Sequence, residues 1–229
     1  MSVLRLLPKR WRERIRNYAP RGFPDSPSCG AFYDARARLF RDDEAASLEY
    51  SSLGVQRRIF ARAVDALPPH GRVLDVGCGL AHLHDYIIDR EFPIASYHGI
   101  DVSAAMLDAA SQRIGGRENV SFEQRDLATR PMESSSYDVA YVISVLGYPI
   151  GRDPMASMLS LLRSALDACA DGLVFTHVMD GRSNRTLAFP TDPDRLAEEC
   201  ALVLGADATI FDNGEDFTYL MRLRKSSKR

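Results

Sequence analysis

The stretch Val73-Leu74-Asp75-Val76-Gly77-Cys78-Gly79-Leu80-Ala81-His82-Leu83 constrains the fold more than any other part of this chain, because an acid, Asp101, stands 22 residues after its second glycine. The apolar run ending at Val76 reads as a buried strand, and the two glycines as a tight turn into a helix. Glycine there lets a ligand approach the backbone with no Cβ in the way. Asp101 ends a second strand pattern, Tyr97-His98-Gly99-Ile100, where a carboxylate can accept hydrogen bonds from both hydroxyls of a ribose. A strand, a turn, a helix and a second strand ending in an acid place a nucleoside-bearing ligand at the carboxyl edge of a parallel sheet.

One residue separates two ligand classes. A dinucleotide site of the form G-x-G-x-x-G rests its pyrophosphate on the helix N-terminus. Here the third position of that spacing is His82, and Asp75 precedes the first glycine by two residues. A carboxylate repels a pyrophosphate but suits a cofactor that carries an ammonium group. The form Asp75-x-Gly77-x-Gly79 resembles motif I of the class I S-adenosylmethionine (SAM)-dependent methyltransferases. Gly99-Ile100-Asp101-Val102-Ser103 resembles their ribose-binding motif, Phe122-Glu123-Gln124-Arg125-Asp126-Leu127 the strand whose acid reads the adenine amine, and Tyr137 through Ser144 the fourth strand. The likeness runs from about Gly71 to Leu223. It departs at Ala81, where the family often has a third glycine; the extra methyl narrows the turn and should be tolerated.

The resemblance implies a fold, a cofactor and a set of site residues. The fold is α/β, a doubly wound seven-stranded sheet whose last strand is antiparallel, with an N-terminal helical lid. The cofactor is SAM. Asp75, Gly77, Cys78 and Gly79 would hold its amino-acid end, Asp101 and Val102 its ribose, and Met106, Asp126 and Leu127 its adenine. Tyr33 and Gln56 would contact it from the lid, and Ser144 from the end of strand four. Ligands of open α/β sheets sit outside the carboxyl ends of strands, so the acceptor is expected near Ser144 and Tyr148 after strand four and near His177 after strand five. His177 is a candidate general base, and Tyr33 a second candidate catalytic group. The expected reaction is direct methyl transfer to an O or N atom of a small molecule. Three alternatives stay open: attack on the aminocarboxypropyl chain of SAM, a non-catalytic SAM-binding partner, and modification of RNA or protein. The Asn/Asp-Pro-Pro-Tyr/Phe motif for planar base amines is absent after strand four, where Ser144-Val145-Leu146-Gly147 stands.

Charge narrows the partners. The net charge of −2 conceals +6 over residues 1–21 and +5 over residues 222–229, so the stretch between them carries −13. Phosphate contacts need a basic working face, and an acidic body argues against nucleic acid as the substrate. No run of 18 apolar residues is present, so no membrane span is expected. Cys29, Cys78, Cys169 and Cys200 show no paired spacing, which suits a reduced, cytoplasmic setting. His82 and His84, two apart on a helix, point in different directions, and no metal site is expected.

The chain divides into residues 1–53, a basic segment and helical lid, and residues 54–229, the SAM-binding catalytic domain. Residues 1–18 read as a basic helix, 19–30 as a loop dense in proline and glycine, and 31–50 as one or two short helices. A helix over 54–66 opens the domain, followed by six strand–helix units with strands near 72–76, 96–100, 119–123, 137–143, 171–178 and 207–212. Asp153-Pro154 and Asp192-Pro193 read as helix starts and Gly205 as a helix end. Asn213-Gly214 reads as a hairpin turn, which makes the seventh strand, 216–223, antiparallel.

Overall fold

A computed structural model describes residues 13, 18, 20–179, 189–212 and 218–226. The elements run α1 (Ser26–Leu39), α2 (Glu44–Ser47), α3 (Leu53–Ala66), β1 (Gly71–Val76), α4 (His82–Asp89), β2 (Ile94–Asp101), α5 (Ala104–Ile114), β3 (Val120–Gln124), β4 (Tyr137–Val142), α6 (Pro154–Ala168), β5 (Cys169–Val178), α7 (Pro193–Glu199), a π-helical turn (Cys200–Leu204), β6 (Ala206–Asp212) and β7 (Thr218–Lys225). The strands form one seven-stranded sheet in the order β3-β2-β1-β4-β5-β7-β6. All neighbours are parallel except β7, which runs antiparallel to both β5 and β6. The order reverses between β1 and β4, so the crevice at a topological switch point opens where the glycine turn begins.

Side chains alternate along each strand and supply two apolar layers. Val73, Tyr97, Val139, Tyr141, Val174 and Leu220 pack with Phe60, Val64, Leu83, Ile87 and Ala110 of α3, α4 and α5. Leu74, Val76, Ile100, Val142, Phe175 and Met221 pack on the other face against Leu159, Leu162 and Leu166 of α6 and Leu196 of α7. Each fully buried leucine or phenylalanine contributes about 1.5–3 kcal/mol relative to exposure, and the helices are set down on these faces by sharp caps. Asp153 and Asp192 accept the backbone N–H of Ala156 and Arg195, each at 3.0 Å, with proline in the first turn of the helix.

Two sequence expectations change. Residues 26–30 are not loop: Asp25 accepts the N–H of Ser28 at 2.8 Å, Pro27 occupies the first turn, and α1 begins at Ser26. The same capping signature that marked α6 and α7 was hidden there by neighbouring prolines and Gly30. Nor does a helix join β3 to β4. The chain turns tightly at Asp126, whose carbonyl oxygen accepts the N–H of Arg130 at 2.9 Å. The expected Asn213-Gly214 turn lies outside the described residues, although the strands it would join pair in register from Asp212 opposite Tyr219. The expected basic helix over 1–18 also lies outside them, apart from Glu13 and Tyr18, as do residues 227–229. Among the described residues, no helix is long and apolar enough to cross a membrane.

The segment before α3 lies over the carboxyl ends of the central strands. Asp34 of α1 accepts the Ser103 hydroxyl at 2.6 Å and the N–H of Ala105 at 3.0 Å, so α1 caps the N-terminus of α5 from outside. A Cβ on Gly30 would stand 2.5 Å from the Val102 carbonyl oxygen, which shows how closely α1 approaches the loop after β2. Phe23 pairs with the loop after β4, donating its N–H to Pro149 O at 2.9 Å and accepting that of Gly151 at 2.9 Å.

Candidate functional site

The glycine turn is tied to the neighbouring strand. Gly77 and Cys78 both donate their N–H groups to Ile100 O, at 2.7 and 3.0 Å. Gly77 and Gly79 have φ of +70° and +52°, the left-handed region in which glycine is unstrained. Ala81 also has φ +56° and is wholly buried. An L-residue there costs roughly 1–2 kcal/mol, so the turn accepts alanine at the expense of backbone strain.

Asp101 faces this turn from the end of β2. One oxygen accepts the N–H of Gly79 at 2.9 Å and the other that of Ser103 at 2.8 Å. Burial raises its pKa, and the backbone donors of Ser103, Gly79 and Val102 work against that rise. Each oxygen keeps a lone pair for an incoming hydroxyl.

Asp75 lies on the other side of the turn. It pairs with Gly99 of β2 and Tyr141 of β4, and Tyr97 donates its hydroxyl to Asp75 Oδ2. Gly99 carries no side chain, so the Tyr97 ring, two residues back on the same face, reaches the acid. Burial pushes the Asp75 pKa up to about 7; the Tyr97 hydrogen bond opposes this and the charge of Asp101 adds to it. Among the described residues no cation lies within ion-pair distance of this carboxylate. The chemistry of the donor set fits a ligand that brings its own positive charge.

Leu48, Glu49 and Tyr50 close the crevice from above. A Cβ on Gly79 would meet Leu48 Cδ2 at 2.6 Å. Tyr50 donates its hydroxyl to Ser144 Oγ at 2.8 Å, and Ser144 donates its N–H to Thr176 Oγ1 at 2.7 Å. Burial pushes the Tyr50 pKa up to about 12. Glu49, with φ +61°, receives two hydroxyls: Tyr33 at 2.9 Å on one oxygen and Tyr148 at 2.9 Å on the other. Burial and then the Glu49 charge hold the Tyr33 pKa well above its ordinary value, so Tyr33 stays protonated and acts as a donor. His82 bridges Gln56 Oε1 at 2.8 Å and Glu44 Oε2 at 3.1 Å, joining α2 and α3 to the start of α4.

Two cavities flank Leu48. One, about 120 Å³, is lined by Tyr33, Gly77, Gly79, Asp101, Val102 and Met106, with Asp126 and Leu127 at its far end. The other, about 50 Å³, is lined by Tyr50, Gln56, Asp75, Cys78 and Ser144. Gly77, Gly79 and Leu48 line both, so the sequence-derived cofactor residues fall into two lobes of one cleft. Asp126 also holds its own turn, accepting the N–H of Ala128 at 3.1 Å and the Thr129 hydroxyl at 2.9 Å.

His177 and Tyr148 are placed differently from these. His177 is buried between Phe189 and Tyr219, with ring centroids 6.1 and 5.8 Å away, and lines neither lobe. Among the described residues neither ring nitrogen meets a partner in hydrogen-bond geometry; burial takes its pKa down to about 4, opposed by the nearby backbone of Leu146 and Phe189. Tyr148 lines neither lobe and donates its hydroxyl to Glu49. Leu48, Glu49, Tyr50 and Tyr97 were not singled out by sequence. The alternation that put Tyr97 and Asp101 on one face of β2 was a usable signal for Tyr97; the conformation of Glu49 left none. Among the described residues, no group of three histidine, cysteine or acidic side chains converges as a metal would require.

Comparison with known proteins follows the same cleft. A family profile described as a methyltransferase domain matches residues 74–173. A putative methyltransferase of Mycobacterium tuberculosis is 28% identical over 170 residues, 72% of this chain and 99% of the relative. A phosphoethanolamine N-methyltransferase of Plasmodium falciparum is 31% identical over 75 residues, 33% of this chain but only 27% of the relative's length. Among solved structures, the complex of DhpI with SAH superposes with a TM-score of 0.68 at 17% identity, covering 92% of this chain and all of that one.

Proposed function

We propose that the chain is a class I S-adenosylmethionine-dependent methyltransferase that transfers the methyl group of SAM to an O or N nucleophile of a small molecule, a reading supported by the matched methyltransferase domain, the relatives and the shared fold. The observation that carries this reading is the pair of acids across the glycine turn, Asp75 without a cation and Asp101 with both oxygens oriented by backbone N–H groups. Bound SAM supplies a methyl group made electrophilic by the sulfonium. The work left to the protein is to hold the two reactants in line, exclude water and take up a proton where one must leave.

Asp75 would hold the ammonium, Asp101 the ribose hydroxyls, and Met106, Asp126 and Leu127 the adenine. Tyr50, Gln56 and Ser144 stand beside the methionine arm, and residues 20–52 serve as the cover. The lobe of about 120 Å³ adjoins a larger cavity of about 900 Å³, with which it shares Ser26, Val102, Arg125, Asp126 and Ile150. A cleft covered in this way suits a small acceptor better than a folded protein or an RNA. The phosphoethanolamine N-methyltransferase relative is named for an acceptor of that size.

The test incubates the purified protein with SAM labelled at the methyl group, alone and with a small-molecule extract freed of protein and nucleic acid. Extract-dependent S-adenosylhomocysteine, with label in a product of low mass, is the expected result. Enzyme-dependent 5′-methylthioadenosine from SAM alone would move the reaction to the aminocarboxypropyl carbon and overturn methyl transfer.

A further inference from the structure

Resting on the methyltransferase reading above, we infer that Arg113 is a positioning residue for the cofactor: it holds the glycine turn in its binding shape at Ala81, where alanine occupies a backbone conformation suited to glycine. The φ of Ala81, +56°, is the rotation about its N–Cα bond, so it sets where the preceding carbonyl, that of Leu80, points. That carbonyl oxygen accepts two bonds from the Arg113 guanidinium, Nε at 3.0 Å and Nη2 at 2.8 Å. The N–H of the same peptide, on Ala81, is given to Cys78 O at 2.8 Å. The Leu80–Ala81 peptide is thus clamped on both edges in the orientation that a left-handed residue requires.

Three features set this clasp apart from a surface ion pair. First, it stands where a helix cap is missing. Asp25, Ser52, Ser103 and Asp153 each accept a backbone N–H at the start of α1, α3, α5 and α6, whereas α4 starts from Ala81 with no side-chain acceptor. The start of α4 is fixed from another element instead. Second, one strand–helix unit grips the turn at two points. Asp101 at the end of β2 accepts the N–H of Gly79, and Arg113 in the last turn of α5 donates to the carbonyl of the next residue, Leu80. A turn that slipped at Leu80 would draw Gly79 away from Asp101 and release that carboxylate from the direction a ribose needs. Third, the guanidinium is itself aimed. Its Nη1 donates to Asp85 Oδ2 in the first turn of α4, and Asp85 Oδ1 lies 3.2 Å from His84 Nδ1. With Nη1 held there, the rigid fork brings Nε and Nη2 together on one oxygen.

The strain and the clasp oppose each other. A left-handed L-residue disfavours the turn by a factor of about 5 to 30 relative to glycine. Arg113 offsets that factor, so the two residues act as a pair, and the need for the arginine should vanish once glycine stands at position 81.

The test is calorimetric titration of the full chain with S-adenosylhomocysteine, in a cycle of Arg113→Met and Ala81→Gly. Arg113→Met should weaken binding about 5- to 30-fold, the factor that the left-handed alanine sets once its clasp is gone. Ala81→Gly should bind at least as tightly as wild type, and the double variant should return to within threefold of Ala81→Gly. Thermal melts separate this from a purely structural role. Arg113→Met should lower the melting temperature in both backgrounds, because the Asp85 pair is lost in each, while affinity falls only where alanine is present. Asp85→Asn, which leaves the bonds to Leu80 in place, should keep the affinity within threefold of wild type. Binding by Arg113→Met within threefold of wild type, a double variant as weak as Arg113→Met, or a loss in Asp85→Asn equal to that in Arg113→Met would each overturn the inference. If Arg113→Met does not fold, Arg113→Lys, which keeps the charge but loses the fork, decides in the same two backgrounds. Failure of the wild-type chain to bind S-adenosylhomocysteine would remove the methyltransferase reading itself, and the inference with it.

Discussion

Replacing Asp75 by asparagine should stabilise the unliganded protein at alkaline pH while impairing cofactor binding. Asp75 is 4% exposed, and its pKa rises from 3.8 to about 7. At about 1.4 kcal/mol per tenfold change, that rise corresponds to a cost of about 4 kcal/mol for holding the charge at pH 8. The folded pKa lies above the unfolded one. The native state therefore keeps a proton between pH 4 and 7 that the unfolded chain has released. The contribution of the neutral acid to stability is fully present below about pH 4 and is lost as the pH rises through 7. Asparagine retains an acceptor for the Tyr97 hydroxyl and cannot ionise. Between pH 5 and 8, wild type should thus lose roughly 3 kcal/mol more than Asp75→Asn, or some 6–12 °C in melting temperature for a chain of this size. Taking the difference between the two proteins removes titrations that both share. SAM should show the opposite order, binding the variant about 10- to 150-fold more weakly if one charge-assisted contact of about 1.5–3 kcal/mol is lost. Wild-type affinity should also fall as the pH drops below 7 and Asp75 becomes neutral. Thermal melts at pH 5 and 8, with calorimetry at pH 7.5, measure all of this. Parallel melting curves for the two proteins across that range, or undiminished SAM affinity in the variant, would refute the reasoning.

Asp101→Ala should lose one or two charge-assisted hydrogen bonds to ribose, on the order of 1.5–3 kcal/mol each; unchanged S-adenosylhomocysteine affinity by calorimetry would sink that role. Gly30→Ala adds a good helix former to α1 but sets its Cβ 2.5 Å from the Val102 carbonyl oxygen. The expected result is a displaced cover, with faster proteolysis near residues 20–52 and slowed turnover, while far-UV circular dichroism keeps the signature of the sheet. His177→Leu removes an imidazole whose two nitrogens are buried with no hydrogen-bond partner among the described residues, so stability should hold or rise. Transfer rates within about threefold of wild type would agree with its position outside both lobes, and a loss of a hundredfold or more would restore it as the general base.

What the sequence made legible was whatever a local pattern encodes. Apolar runs such as Val73 to Val76 and Val139 to Val142 became strands because both faces of a mostly parallel sheet are covered, and the acids that end or interrupt such runs stood out for that reason. Asp-Pro pairs located α6 and α7, and the related Asp25-Ser26-Pro27 cap went unread because prolines at 20, 24 and 27 made the stretch look like loop. The cover over the cleft was less accessible for a deeper reason. Leu48, Glu49 and Tyr50 have no periodicity to reveal, and the left-handed Glu49 holds its side chain with partners far away in sequence, Tyr33 on α1 and Tyr148 beyond β4, 16 and 99 residues off. Local propensity disfavours that conformation for glutamate. Asp75 and Asp101 belong to the strands that build the fold, so folding and cofactor chemistry leave one common signature in the sequence. Glu49 contributes little to the core, and its position follows only from contacts made once the sheet exists. A cover held this way can change by altering a few of its residues, without disturbing the acids that would hold the cofactor.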